Sequence, residues 1–211
     1  MPAILSILTE YMDIFWHGHS TFTIKGKSAT IVTDPFEQGT KLPKLKANIV
    51  SLSEEGTVAE VEGDPKVLDW PGEFEVSDVA IEAIRPEGEE SSIFIFALDG
   101  IKICHLGYLT HELHDDVLDH IGDVDILMIP VGGGVVIDGK TAQKVVEAIE
   151  PRIVIPMLYN ATETTLDIKG SEEFLKALGK TGQEAVEKYS VASRANLPDG
   201  SMGFVVLEPK L

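Results

Sequence analysis

Two short apolar runs, residues 126–130 and 153–156, bracket a helical pattern, and this alternation constrains the fold more than any other feature. Between them Ala142, Val145, Val146 and Ile149 recur at the i, i+3, i+4, i+7 spacing of one helix face, in a segment opened by Thr141 and ended by Pro151. A strand that returns to its neighbour through a helix pairs with it in parallel, so the second half reads as βα units. Thr110 serves as the cap of an earlier helix running to about His120, with Leu113, Val117 and Ile121 on one face. A third helix starts at Ser171-Glu172-Glu173, with acids in its first turn, and stops at Gly179. Residues 203–207 close the chain as a strand.

The first half reads differently. Residues 21–25 and 29–33 flank a turn at Gly26-Lys27, as a hairpin does. Residues 81–84 and 92–98 are strands separated by the polar loop Pro86-Glu87-Gly88-Glu89-Glu90, and Asp99-Gly100 turns the chain into a further strand at 101–105. A strand-rich half followed by βα units predicts a single α/β domain. No repeat, low-complexity tract or linker interrupts it.

At 211 residues the chain suits one domain with a substantial core. Lys and Arg total 17 against 35 Asp and Glu, a formal charge of −18 that repels phosphate backbones and argues against nucleic acid as a partner. The one cysteine excludes an intramolecular disulfide and fits a reducing cytoplasm. No apolar run approaches the roughly 20 residues needed to span a bilayer. The N-terminal residues 1–8 are apolar but lack the basic start of a secretory signal.

Six motifs punctuate the predicted strand ends: Trp16-His17-Gly18-His19-Ser20, Thr33-Asp34-Pro35-Phe36, Pro71-Gly72-Glu73-Phe74-Glu75-Val76, His105-Leu106-Gly107-Tyr108-Leu109, Pro130-Val131-Gly132-Gly133 and Pro156-Met157-Leu158-Tyr159. In this order they resemble the small, single-domain branch of the metallo-β-lactamase superfamily, near the ascorbate-6-phosphate lactonase-like Zn-dependent hydrolases. The resemblance runs from about Met12 to the C-terminus. It implies a four-layer αβ/βα sandwich formed by residues 12–211, preceded by an N-terminal extension, residues 1–11, expected to pack on its own domain.

The resemblance also implies a metal shell, and there the chain departs from the pattern. The family places His-x-His-x-Asp-His after a buried strand; here strand 47–52 is followed by Ser53-Glu54-Glu55-Gly56-Thr57-Val58-Ala59. The histidine positions become Glu54, Gly56 and Ala59, and the aspartate position becomes Val58. The family's His-x-Gly-Asp carboxylate is Tyr108, and its last histidine is Leu158. A catalytic zinc needs about three protein ligands and an open position for the water that it acidifies, and one carboxylate cannot replace that set.

The remaining candidates are His17, His19, His105 and Tyr108. His17 and His19, two apart on a strand, would face the same side and could reach one ion, although His19 also reads as a residue hydrogen-bonded near the cleft floor. His105 and Tyr108, at a strand end, could form an acid–base pair. Alternatively Tyr108 and Leu158 pack into the former metal position, with the Tyr108 hydroxyl bonded to a neighbouring polar group such as His19 or His105. Cys104 and His105 point to opposite faces and form no dyad; Cys104 reads as a buried, inert thiol. His111, His114 and His120 read as solvated residues of one helix, with His111 and Asp115 as an i, i+4 pair. Asp34 reads as the brace of a turn, and Glu73 as an acid on a cleft loop. Glycines 132 to 134 lack the Lys-Ser/Thr of a phosphate loop.

These readings predict a cytoplasmic, non-catalytic protein of the metallo-β-lactamase fold, without a metal or other cofactor, serving a binding, assembly or regulatory role. Its expected partner is an unidentified protein or small molecule, with neither nucleic acid nor membrane involved and homo-oligomerisation left open. The alternative is a hydrolase of a small ester, lactone or phosphoester with a relocated or metal-free site, and zinc or another transition metal enters only there.

Overall fold

The computed structural model describes residues 11–211. Apart from Tyr11, the expected extension lies outside the described residues.

Two mixed sheets face each other. The larger has seven strands in the order Gly203–Phe204, Ile153–Met157, Ile126–Pro130, Ile101–His105, Ile93–Leu98, Val79–Ile84, Gly72–Val76. Its first four strands run parallel and the rest antiparallel. The parallel pairs are joined through α1 (Asp115–Ile121) and α2 (Gly139–Ile149), and the right-handedness of such crossovers sets both helices on the same face. Helix α2 buries Ala142, Val145, Val146 and Ile149, the stripe that its spacing predicts. Helix α3 (Glu172–Ala177) packs on α2 and buries Phe174.

The second sheet has six strands in the order Tyr189–Val191, Met12–Trp16, Phe22–Lys25, Thr30–Thr33, Ile49–Ser51, Lys66–Leu68. Period-two alternation divides its side chains. Ile31 and Ile49 enter the main core, whereas Val32 and Val50 form a second cluster on the other face with Leu45 and Ala47. Trp16, Phe22, Phe94 and Phe96 are fully buried in the main core. Removing one such ring costs about 3–5 kcal/mol. The facing sheets, with helices outside the seven-stranded one, are the metallo-β-lactamase architecture that the resemblance implies; among the described residues no α-helix precedes Asp115 to cover the six-stranded sheet.

Several local expectations are corrected. Helix α1 begins at Asp115, not near Thr110, because the buried Glu89 carboxylate accepts both the Thr110 amide (2.7 Å) and its hydroxyl (3.1 Å). His111 therefore lies outside the helix with its Nε2 3.3 Å from Glu89, and the expected pair with Asp115 does not form. His114 is the N-cap residue, and His120 meets Glu82. Asp138 caps α2 by accepting the Thr141 amide at 2.9 Å. Glu73 stands exposed on the edge strand Gly72–Val76, away from any cleft loop. The closing strand divides: Gly203–Phe204 joins the large sheet, and Val206–Leu207 pairs with Ala185–Val186. Among the described residues no helix is long and apolar enough to cross a membrane.

Strands Thr30–Thr33, Ile49–Ser51, Ile101–His105 and Ile153–Met157 end at one common edge of the sandwich. Asp34 Oδ2 lies 3.9 Å from His105 Nε2, Asp34 accepts from Ser53, and the Leu158 amide donates to the His19 carbonyl at 3.0 Å. This is the edge where parallel strands leave room for chemistry, because their loops rather than their packed faces meet there.

Candidate active site

Asp34 is the deepest charged residue of this edge. It is fully buried, with Oδ1 accepting the Ser53 amide at 2.6 Å and Oδ2 the Ser53 hydroxyl at 2.5 Å. It thus ties the end of Thr30–Thr33 to the end of Ile49–Ser51, a longer-range brace than the local turn expected of it. Its backbone adopts φ 42°, in the left-handed region that a residue with a Cβ enters at a cost. Burial raises the Asp34 carboxyl from 3.8 to about 7, against the hydrogen bonds from Ser53 that favour its charged form.

Above it runs a chain of neutral groups. The Ser20 hydroxyl donates to the Tyr108 oxygen at 3.2 Å, and the Tyr108 hydroxyl donates to Gln38 Oε1 at 2.8 Å. The Tyr108 amide is held by Ser91 Oγ at 2.8 Å. Gly107 makes that approach feasible: its φ is 57°, and a Cβ there would lie 2.5 Å from Ser91 Oγ. The Tyr108 side chain is buried, and its phenol is raised above its usual range by burial and by the charge of Asp34. The neighbouring polar groups that its hydroxyl bonds to are Ser20 and Gln38; His19 and His105 are not among them.

His105 is occupied elsewhere. Its Nε2 donates to the Ser20 carbonyl at 3.0 Å and its Nδ1 accepts the Gly107 amide at 3.2 Å, which together fix a neutral tautomer. Burial lowers it to about 4. An acid–base pair of His105 and Tyr108, the alternative to Tyr108 filling space, does not form, because each is bonded to other partners. Cys104 is buried, its thiol pushed up to about 12, which leaves it unreactive.

Glu54, which follows Ser53, is half-buried. Burial, then the neighbouring Asp34 and Glu90, raises its carboxyl from 4.5 to about 7. Of the other positions expected to hold a metal in the family, Gly56 and Val58 are exposed and Ala59 is half-buried on a segment that pairs with residues 35–37. Leu158 is fully buried at φ 51°.

His17 and His19 do not face one ion. The strand Met12–Trp16 ends before them, and Gly18 at φ 94° and His19 at φ 48° turn the chain. His17 lies 2.6 Å from the Lys210 carbonyl and 2.8 Å from Thr23 Oγ1. His19 is buried to 3% exposure, and its Nε2 and Ser51 Oγ are the buried side-chain atoms without a hydrogen-bond partner among the described residues. An unsatisfied buried group of this kind costs about 1–3 kcal/mol. Burial lowers the His19 imidazole below its usual range and keeps it neutral.

Sequence reasoning missed Gln38, Ser53, Ser91 and Glu90, and set Ser20 aside. Polar residues next to strand ends were the available signal, but the partners lie 70 and 88 positions apart for Tyr108 with Gln38 and Ser20.

The family described as Beta-lactamase superfamily domain matches residues 13–158. A UPF0173 metal-dependent hydrolase of Thermoplasma acidophilum is 26% identical, over 82% of this chain and 92% of its own. A UPF0173 metal-dependent hydrolase of Archaeoglobus fulgidus is 23% identical, over 81% and 92%. Among solved structures, a protein of Thermotoga maritima described as a Zn-dependent hydrolase of the metallo-β-lactamase superfamily superposes with a TM-score of 0.82 at 31% identity, covering 93% of this chain and 98% of that one.

These similarities correct three expectations: that the role is non-catalytic, that the chain is not an enzyme, and that it uses no metal cofactor. Relatives spanning most of both chains are named metal-dependent hydrolases. The expectation failed because it equated loss of the histidines with loss of chemistry, whereas Asp34, Glu54 and a set of hydroxyls still converge on the strand ends. The donors of this site nonetheless do not fit a three-ligand zinc. No three His, Cys, Asp or Glu side chains among the described residues group to hold an ion. Both Asp34 oxygens accept from Ser53, both His105 nitrogens are engaged, and Ala59 and Leu158 have no donor.

Proposed function

The chain belongs to the beta-lactamase superfamily domain family, and from that premise we propose that it is a hydrolase of a small ester, lactone or phosphoester, with its reacting groups at the strand ends around Glu54. The observation that carries this reading is Glu54 itself, a half-exposed carboxyl raised to about 7 at the mouth of a cluster that also holds Asp34, Ser20, Tyr108 and Gln38. A group poised near the working pH is the one best able both to take and to return a proton.

Glu54 as carboxylate accepts a proton from water attacking the carbonyl carbon, and as carboxylic acid returns it to the departing oxygen. Because Gln38 Oε1 accepts from Tyr108, its amide NH2 is turned away from the phenol and supplies donors for the oxygen that gains charge. Asp34 and Glu90 beside Glu54 disfavour an anionic substrate, so uncharged esters and lactones suit the site better than phosphoesters. The names of the relatives bring a metal into the same reading, and the proton transfers run through Glu54. A cytoplasmic setting belongs to the proposal and is supported by the single, buried thiol. So does a small-molecule partner in place of nucleic acid, supported by the charge of −18.

The test is turnover of an aryl acetate, an aliphatic lactone and a diaryl phosphodiester, with and without added Zn2+ or Mn2+. We expect ester or lactone hydrolysis with a pH inflection near 7. Glu54→Gln should lower kcat about 100-fold, or roughly 2.7 kcal/mol, with KM little changed. Wild-type protein inert under every condition, or Glu54→Gln as active as wild type, overturns the reading.

A further inference from the structure

The terminal strands Lys66–Leu68 and Gly72–Val76 follow each other in the chain, so an open edge of each sheet lies beside that of the other. Gly72–Val76 pairs with Val79–Ile84 on one flank, and among the described residues no strand pairs with its other flank. Every second amide and carbonyl is therefore open to a further strand. Period-two alternation divides the side chains of this edge. Phe74 and Val76, across from the buried Ile81 and Val79, are half-buried, whereas Glu73 and Glu75, across from Glu82 and Ala80, are exposed. Trp70, just before the strand, is 47% exposed and meets the Phe74 ring edge-on, with centroids 5.6 Å apart.

The acidic side of the strand opens onto a groove of about 950 Å³ lined by Glu73, Glu75, Ala80, Glu82 and Ala97 among others. Glu73 stands directly across from Glu82, an unfavourable pairing of like charges. Glu82 meets His120, but among the described residues Glu73 and Glu75 have no cationic partner. The cations of the groove are engaged elsewhere, Lys102 with the Ile121 carbonyl and Arg194 with Asp125. Charge alone would guard this edge against pairing. A half-exposed indole beside it does not serve that purpose, and such rings are where partners anchor. A second copy of the chain does not suit the edge. Pairing two Gly72–Val76 strands antiparallel about Phe74 sets Glu73 against Glu75 twice.

We propose that Gly72–Val76 is a docking edge for an extended basic segment of another protein, which adds to the seven-stranded sheet with Lys or Arg opposite Glu73 and Glu75 and apolar residues toward Phe74, Val76 and Trp70. Main-chain hydrogen bonds supply affinity in this mode, and the alternating side chains supply selectivity. The basic side chains of the added strand lie on the side where the groove leaves room for them. The net charge of −18 steers such a segment toward the molecule. The contact makes no use of Glu54 or its neighbours, so it is independent of the hydrolase reading.

The experiment uses the full chain and a short capped peptide of alternating Lys and Val. Trp16 is fully buried, so a change in tryptophan emission on binding reports on Trp70. The peptide should shift that emission and slow hydrogen exchange within Gly72–Val76. The same peptide N-methylated at alternate residues keeps its charge but cannot join the ladder, and should not bind. Glu73→Lys with Glu75→Lys turns two cross-strand attractions into repulsions and should weaken binding about 10-fold or more. Glu184→Lys with Glu187→Lys makes the same change in net charge ahead of Tyr189–Val191, at the other end of the six-stranded sheet, and should leave binding nearly unchanged. The exchange map and the methylated peptide use wild type alone, so the test does not depend on the variants folding. No binding to wild type, equal binding of the methylated peptide, or equal loss in both double variants overturns the proposal. A wild-type dimer in sedimentation that Glu73→Lys with Glu75→Lys dissolves makes a second copy the occupant and overturns it as well.

Discussion

Two buried aspartates sit at opposite ends of the sandwich and are treated in opposite ways. Asp125, just before the strand Ile126–Pro130, accepts from Arg194 Nε at 2.8 Å and the Lys102 amide at 2.9 Å, and lies 3.3 Å from Arg152 Nε. Asp34, at the strand ends, accepts from the amide and hydroxyl of Ser53 and lies 3.9 Å from the neutral His105 ring, with no Lys or Arg beside it among the described residues. A buried charge with cations beside it is structural, whereas one compensated by dipoles alone is left close to its neutral form. The proposed chemistry lies at the Asp34 end, where the nearby Glu54 is also raised to about 7.

The largest way to break the comparison is at Asp125. Asp125→Ala leaves its donors without an acceptor, and we expect a loss of about 3 kcal/mol, read as a lower urea midpoint at unchanged m-value. Asp34→Asn should behave otherwise. Asp34 keeps its proton in the folded protein up to about pH 7, but in the unfolded chain only up to its ordinary value of 3.8. The folded state therefore binds more protons across that window, so the stabilisation is complete below about pH 4 and is lost as pH rises through 7. Asp34 itself should contribute a loss on the order of 2 kcal/mol between pH 4 and 8, read as the difference in pH dependence between wild type and Asp34→Asn. A slope unchanged by Asp34→Asn would show that Asp34 is not an uncompensated acid. The smallest effect is expected for Tyr108→Phe, which strands the Ser20 hydroxyl and Gln38 Oε1 at about 1 kcal/mol. A loss several times larger would mean that the phenol compensates Asp34 as well.

Much of the fold was legible because its signals are local. The stripe Ala142, Val145, Val146 and Ile149 predicts α2, and the apolar runs at 126–130 and 153–156 predict its flanking strands. Where a distant group intervened, local reading failed. Glu89 took the amide of Thr110, and the N-cap of α1 moved from there to His114. The turn at Gly18 and His19 ended a strand that would have aligned two histidines.

The candidate site was legible only as a place. Motifs at strand ends located it, and the mismatched ligand positions Glu54, Tyr108 and Leu158 marked it. What those substitutions mean chemically was misread, because sequence displays a lost histidine but not the surroundings of the carboxylates that remain. The sequence by itself determined the class of fold and the edge at which the site lies, since periodicity and motif order are properties of neighbouring residues. Only the tertiary structure decided that Ser20, Gln38 and Tyr108 share a hydrogen-bond chain and that, among the described residues, Asp34 is compensated by dipoles without a cation and His19 Nε2 has no partner. Desolvation and pairing depend on which distant segments meet, and that is settled when the two sheets close on each other.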